Sequence, residues 1–433
     1  MAWDFATDPA FEAQLAWMDA FVRARVWPLE TVASELEQSD LDRLYAPIQA
    51  EVKERGLWAA HLPPELGGQG FGQVKLALMH EIIGTSPFGP EAFGCQAPDS
   101  GNSEILAIAG SAAQKERWLG PLLAGAIRSA FAMTEPEVAG SDPTLIKTRA
   151  REVDGGWVLD GHKWFVTNGS LADVFIVMAV TDPDAQAHRR ASMLIVPADA
   201  EGVRVLRDVP SMDDPTAALG RAGNHAEVVF DGVPLDAGAL LGGAGDGFKI
   251  AQLRLGPGRI HHAMRWLGVC RRAFDMLCER ATYRTSHGGL LSEKQTIQNW
   301  IADCAADMHA ARLMTLHAAW VIDTKGAAAA RQEIGLIKFF GARVLHDVVD
   351  RALQAHGALG YSADLPLEEM YRMARAARIL DGPDEVHRQS VARQILKRYA
   401  PPPDGVPTEH VPTRRLRARE QLGAALLATG EAS

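Results

Sequence analysis

Hydrophobic periodicity changes twice along this 433-residue chain, and that double change constrains the fold more than any other feature. Up to about Gly125 apolar residues recur at helical steps. Phe11, Leu15, Met18, Val22 and Val26 line one face, and Leu41, Leu44, Ile48 and Val52 line another. Pro63-Pro64 and Gly67-Gly68 then mark a loop. From about Ser129 to Asp236 the chain breaks into short β-rich runs. Thr144–Val153 and Trp157–Asp160 flank Asp154-Gly155-Gly156, which has hairpin-turn chemistry. His162–Thr167, Val174–Val180, Ser192–Val196, Val203–Leu206 and Ala226–Phe230 follow. Many short strands without intervening helices predict a small barrel or sandwich. From about Gly247 the helical period returns in three faces (Ile260 to Ala281, Ile297 to Ala311, Ile334 to Ala352) and a fourth helix over about Glu385–Arg398, which favours a bundle.

The glycine run Gly242–Gly247 lacks a βαβ setting, so it reads as a domain linker and not as a dinucleotide loop. The sequence holds no GxxxxGK[ST], no HExxH and no GxSxG, which disfavours P-loop, zincin and serine-hydrolase chemistry. His261 and His262 point to different faces of a helix, so no metal site is expected. Lys and Arg number 44 against 54 Asp and Glu, a formal charge of −10, which argues against nucleic acid and anionic membranes as partners. Cys95, Cys270, Cys278 and Cys304 form no CxxC pair, as in a reduced, intracellular protein. Met1–Phe5 lacks a basic start followed by an apolar stretch, Glu431-Ala432-Ser433 is no peroxisomal address, and no apolar run reaches the roughly 18 residues of a membrane span. A cytoplasmic location is the expectation.

Three segments carry unusual local chemistry. In Phe131–Asp142 a strand runs into a loop of small and hydroxyl residues, whose free N–H and O–H donors suit a heteroaromatic edge or a phosphate. An ordinary strand-to-turn junction would look similar. In Gly161–Gly169, strand alternation puts Phe165 and Thr167 on one face and Trp164 on the other. That face offers a ring beside a hydroxyl, suited to a planar cofactor or simply to a core. In Arg378–Arg388, Asp381 follows an apolar pair and precedes a turn. A carboxylate in an apolar cleft is pushed up by desolvation, which suits a general base. Asp384 looks like a helix N-cap.

Taken together, Met133-Thr134-Glu135-Pro136, then Gly140-Ser141-Asp142, then Gly161-x-Lys163-x-Phe165-x-Thr167-Asn168-Gly169 resemble the acyl-CoA dehydrogenase family over about residues 40 to 400. Cys95–Asn102 and Asp381–His387 look like the branch whose vertebrate members carry an additional kinase-like domain, which this chain lacks. The resemblance implies an α+β fold: an N-terminal helical domain (1–128), a β-barrel (129–240), a C-terminal four-helix bundle (247–400) and a Pro-rich tail (401–433) with room for one further helix.

It also implies FAD as cofactor, an acyl-CoA substrate, α,β-desaturation, and electron transfer to an electron-transferring flavoprotein. Met133 and Thr134 would meet the pyrimidine end of the flavin, Phe165 and Thr167 its ring and N5, and Ser141 the pyrophosphate. Family members are homodimers or homotetramers in which a second subunit completes the FAD site, and Arg284, Gln354 and Gly357 match the residues that do so. Glu137–Gly140 is one residue longer than the usual loop, and Ala358 replaces a usual glycine. The base position falls on Asp381, because the alternative position on the first bundle helix is Arg259. Flavin oxidases of the same fold, including nitroalkane oxidase with its Asp base, and a non-catalytic acyl-CoA-binding protein are the competing readings.

Overall fold

The computed structural model describes residues 7–430 apart from 67, 216, 218, 219 and 403, with the backbone alone at 255, 257 and 424–430. Met1–Phe5, Gly67, Pro403 and Glu431–Ser433, all used above, lie outside the described residues. The chain has a three-part fold, with helical N- and C-terminal parts and a central β-sheet domain.

The N-terminal part contains α1 (Pro9–Phe21), α2 (Gln38–Glu54), α3 (Gly72–Ile83) and α4 (Asp99–Ala109), among shorter turns. Asp8 caps α1 by accepting from the Phe11 N–H. In α2 the buried stripe is Leu41, Tyr45, Ile48 and Val52, while Leu44 is 44% exposed. The expected face was therefore off by one residue. A bulky amphipathic Tyr can sit where periodicity alone suggested Leu.

The sheet contains β1 (Ser129–Ala132), β2 (Arg149–Val153), β3 (Gly156–Thr167), β4 (Val174–Val180), β5 (Ala191–Pro197), β6 (Val203–Asp208), β7 (His225–Asp236) and β8 (Leu240–Leu241). Neighbours run β6-β7-β3-β2-β4-β5-β8, with β1 parallel to β4, so pairings among the described residues leave β6 and β8 as the two ends. The turn between β2 and β3 is the expected one, with Gly155 at φ +84° where an L side chain is disfavoured. β4 is apolar throughout because both its faces are covered. Val174, Ile176 and Met178 pack with α4 residues Ile105 and Leu106, while Phe175, Val177 and Ala179 face a second core with Phe230 and Val228.

The C-terminal part contains α5 (Gly247–Tyr283), α6 (Gln295–Lys325), α7 (Arg331–His356), α8 (Leu367–Ala376) and α9 (Asp384–Leu396). The three long helices pack on one another, α3 lies against α5 and α6, and α8 lies against α7. The sequence reading missed α8, whose buried residues are only Leu367, Met370 and Ala374. One core joins α1, α2 and α3 to α5, α6, α7 and α8, from Met18 and Val52 through Met264 and Leu345. The chain forms two compact units, one ending at Arg388 and the other beginning at Gln389. The second unit contains α10 (Val411–Gly430). Among the described residues no helix is long and apolar enough to cross a membrane.

Candidate active site

Asp381 lies in the turn between α8 and α9 with a left-handed backbone, φ +54°, a conformation that costs a non-glycine residue energy unless its surroundings impose it. Here the Asp381 carbonyl is held from both sides. Arg259 on α5 donates to it through Nε (3.3 Å) and an NH2 nitrogen (3.1 Å), and His387 Nε2 lies 3.1 Å away from α9. The carboxylate is 27% exposed, and its Oδ2 lies 3.3 Å from His262 Nε2. Arg259 and His262 are three residues apart on α5, so both reach the same turn.

The surroundings of Asp381 are cationic, contrary to the apolar cleft expected from Ile379 and Leu380, which are themselves 57% and 44% exposed. Burial pushes the Asp381 carboxyl up, but His262, Arg254, Arg259 and Lys338 outweigh it, so its pKa lies below the ordinary carboxylate value. Burial also acts on these neighbours, leaving His262 neutral at pH 7. It brings Lys338, which donates 2.7 Å to the Ala377 carbonyl, down to about 8, and brings His262 down to about 4. Asp384 differs from the expected N-cap as well. It is 1% exposed and pairs with Arg378 at 2.9 Å and Arg388 at 3.6 Å.

On the sheet, Met133 and Thr134 follow β1 directly. The Thr134 hydroxyl donates 2.7 Å to the Trp164 carbonyl, and the Trp164 N–H donates 3.1 Å to the Thr134 carbonyl. Beneath them is a pair that motif reading left without a role. Lys163, fully buried, donates 2.9 Å to Glu135 and 2.9 Å to the Met133 carbonyl. Glu135 also accepts from the N–H groups of Lys147 and Thr148. A buried charge is tolerated when so paired, and this one ties the first motif to the second.

The second motif bends. Between Lys163 and Val166 the pairing with β7 slips from Val228 to Ala226, so one extra residue enters β3 as a bulge. Strict alternation fails there. Trp164 and Phe165 do not lie on opposite faces but meet edge-to-face with ring centroids 4.9 Å apart. Phe165 has φ +50° and is 40% exposed, an aromatic side chain held out of the core. Thr167 Oγ1 lies 3.0 Å from His225 Nδ1, and the Phe165 ring is 5.6 Å from the same imidazole. Phe165 and Thr167 therefore do share a face.

Arg254 connects the two regions. It is electrostatically coupled to Asp381, and its guanidinium sits 4.3 Å over the Phe131 ring on β1, two residues before Met133. Among the described residues its Nε has no hydrogen-bond partner, an open donor inside the site. Glu104 on α4 faces the same guanidinium electrostatically, and burial raises it to about 8.

The remaining predicted residues lie apart. Ser141 is exposed in the loop beyond Gly140, which closes on Thr134 (a Cβ at Gly140 would come within 3.0 Å of its methyl). Arg284 is exposed at the end of α5, and Gln354 and Gly357 are exposed at the end of α7. A separate polar cavity of about 390 Å³, lined by Tyr45, His61, Asp99, Arg128 and Asp173 among others, contains none of the predicted residues. No local signal marks Lys338 or Arg254 as site residues, and Lys163 is legible only as a member of the Gly161–Gly169 motif. The adjacent histidines were noticed, but their separate partners (Gln73 for His261, Asp381 for His262) are tertiary.

Comparison with known proteins bears on the whole chain. Residues 11–126, 130–233 and 245–396 match the N-terminal, middle and C-terminal domains of acyl-CoA dehydrogenases. "Probable acyl-CoA dehydrogenase FadE2" of Mycobacterium tuberculosis is 41% identical, the match covering 91% of this chain and 93% of that one. Acyl-CoA dehydrogenase family member 10 of Mus musculus is 41% identical over 90% of this chain but only 37% of its own length. This chain thus spans little more than a third of that longer relative. A solved acyl-CoA dehydrogenase structure from Mycobacterium abscessus superposes with a TM-score of 0.85 at 40% identity, covering 91% of this chain and all of that one. Three contiguous domain matches, two long alignments and the shared fold place the chain in the acyl-CoA dehydrogenase family.

Proposed function

We propose that the chain is an FAD-dependent acyl-CoA dehydrogenase that desaturates an acyl-CoA thioester between Cα and Cβ, with Asp381 as the general base. The observation that carries this reading is the carboxylate itself. It is accessible, ionised, and fixed on a strained turn by Arg259 and His387. A base held this way loses little freedom on meeting its proton. When bound, FAD supplies the two-electron acceptor for the β-hydride.

The fit of the sheet to a planar heteroaromatic group rests on Phe165, an outward-facing ring at positive φ beside the Thr167 hydroxyl. Met133, Thr134 and Ser141 would hold the cofactor from this chain. Arg284, Gln354 and Gly357, exposed here, would hold it from a second subunit of a homodimer or homotetramer. In the reaction, Asp381 takes the α-proton, the β-carbon gives up a hydride, and the C=C bond forms from the electron pair left at Cα. The lowered pKa of Asp381 keeps it ionised and ready at neutral pH. It also makes the carboxylate a weaker base, so enolate charge must be stabilised as it develops. The cations around Asp381 supply a positive field for that. Electrons then pass to an electron-transferring flavoprotein.

The test is flavin content and anaerobic reduction. Purified protein should carry FAD, and its flavin should bleach with some member of a panel of acyl-CoA thioesters. Colourless protein that takes up no FAD would overturn the reading. Rapid reoxidation in air with sustained peroxide would assign it to the oxidases.

A further inference from the structure

His262 is a half-buried imidazole on α5 whose Nε2 lies 3.3 Å from the Asp381 Oδ2. From the geometry of that contact we infer that His262 is the positioning residue for Asp381. It grips one carboxylate oxygen through an Nε2–H and leaves the other to face the α-hydrogen of the substrate. This rests on the function proposed above and adds to it a named partner for the base.

Arg259 and His387 hold the Asp381 backbone carbonyl, so they fix the residue but not the rotation of its carboxylate. Arg254 and Lys338 act on the carboxylate through charge, and Lys338 spends its hydrogen bond on the Ala377 carbonyl. Among the described residues, the side-chain nitrogen recorded nearest the carboxylate oxygen is His262 Nε2. An ionised carboxylate accepts and cannot donate, so a neutral ring in this position must carry its proton on Nε2. Burial keeps the ring neutral above about pH 4, with Arg265, Lys338 and Arg254 also opposing its charge and Asp381 favouring it. A neutral donor orients the base without adding a full charge to a site that already holds three cations. The 3.3 Å contact is at ion-pair distance and lacks hydrogen-bond alignment in the unliganded protein, and catalytic hydrogen bonds are often poorly aligned until the substrate complex forms. His261, next in sequence, is engaged elsewhere, stacked at 4.3 Å on His80 and 3.2 Å from Gln73, so it cannot exchange roles with His262.

Two measurements test the inference. In protein labelled with ¹⁵N-histidine, the His262 resonances, assigned by their loss in H262Q, should report a neutral ring protonated on Nε2 at pH 7 and should shift in D381N. A ring protonated on Nδ1 cannot donate to the carboxylate and would overturn the inference, whatever the enzyme's activity. Second, with a thioester that bleaches the wild-type flavin, H262F should reduce about tenfold to a hundredfold more slowly, the order of loss when a reacting group is misplaced by about an ångström. Its KM should be unchanged, and its acid limb should move to higher pH because a group that lowers the Asp381 pKa is gone. H262Q, which keeps a donor near the same place, should recover most of the rate. Wild-type rate and an unmoved acid limb in H262F would refute the role. Failure of every thioester to bleach the wild type would instead count against the proposed function, and the resonance measurement would still decide the contact.

Discussion

At the scale of single residues, the site is governed by burial working against charge. Glu104 illustrates it. It is 8% exposed, and burial raises its carboxyl from the ordinary 4.5 to about 8, with Arg254 only partly offsetting this. The folded value lies above the unfolded one, so Glu104's contribution to stability is fully present below about pH 4.5 and is lost as pH rises through about 8. An E104Q substitution, which mimics the protonated acid, should therefore change the urea midpoint little at pH 5 and raise it relative to wild type at pH 9. An equal midpoint at pH 9 would mean that burial does not raise this carboxyl in the fold. Glu104 was invisible in the sequence because nothing local marks a helical Glu as buried. Asp381, Phe165 and Thr167 were legible because each sits in a short motif with its own turn chemistry. Their supports were not. Lys338 and Asp381 are 43 positions apart in the chain, counting from 338 to 381, and only tertiary packing brings them together.

At the scale of elements, α5 organises the site. It presents Arg254, Arg259 and His262 to the β1–α4 region and the Asp381 turn, and Arg265 donates 3.1 Å to His80 on α3. Its distance from α3 is set by two glycines. A Cβ on Gly268 would come 2.4 Å from the Glu81 carbonyl oxygen, and one on Gly84 would come 2.4 Å from the Arg265 Cα. Both obstacles are backbone, which cannot swing aside. G268A should therefore destabilise the fold by about 1–3 kcal/mol, the usual cost of overpacking. In urea denaturation this should appear as a lower midpoint with an unchanged m value. A neutral G268A would mean that the two helices can part without penalty. Periodicity made α5, α6 and α7 legible because each repeats its pattern over many turns. It missed α8, whose ten residues bury three side chains, and it missed the bulge in β3, because an extra residue in a strand leaves no compositional trace.

At the scale of the whole molecule, the helical ends of the sequence are not separate bodies. Residues of α1, α2 and α3 and of α5 to α8 share one apolar core, so these helices before and after the sheet fold against each other. The alternation of periods announced three stretches, and it could not announce that the first and third share their interior. The exposed Arg284, Gln354 and Gly357 matter at this scale too. On the proposed reading they act in a neighbouring copy's cofactor site. R284E should then lower retained FAD and leave helical content unchanged, read by flavin absorbance and circular dichroism, and light scattering should find the wild type oligomeric. A monomer that holds a full complement of FAD would contradict this.

Removal of the α-proton by the Asp381 carboxylate can be read from anaerobic rapid mixing of D381N and wild type with the same acyl-CoA. D381N should retain FAD and the thioester but reduce its flavin about 10²–10⁴-fold more slowly, the contribution expected of a well-placed general base. Undiminished flavin bleaching in D381N would contradict it.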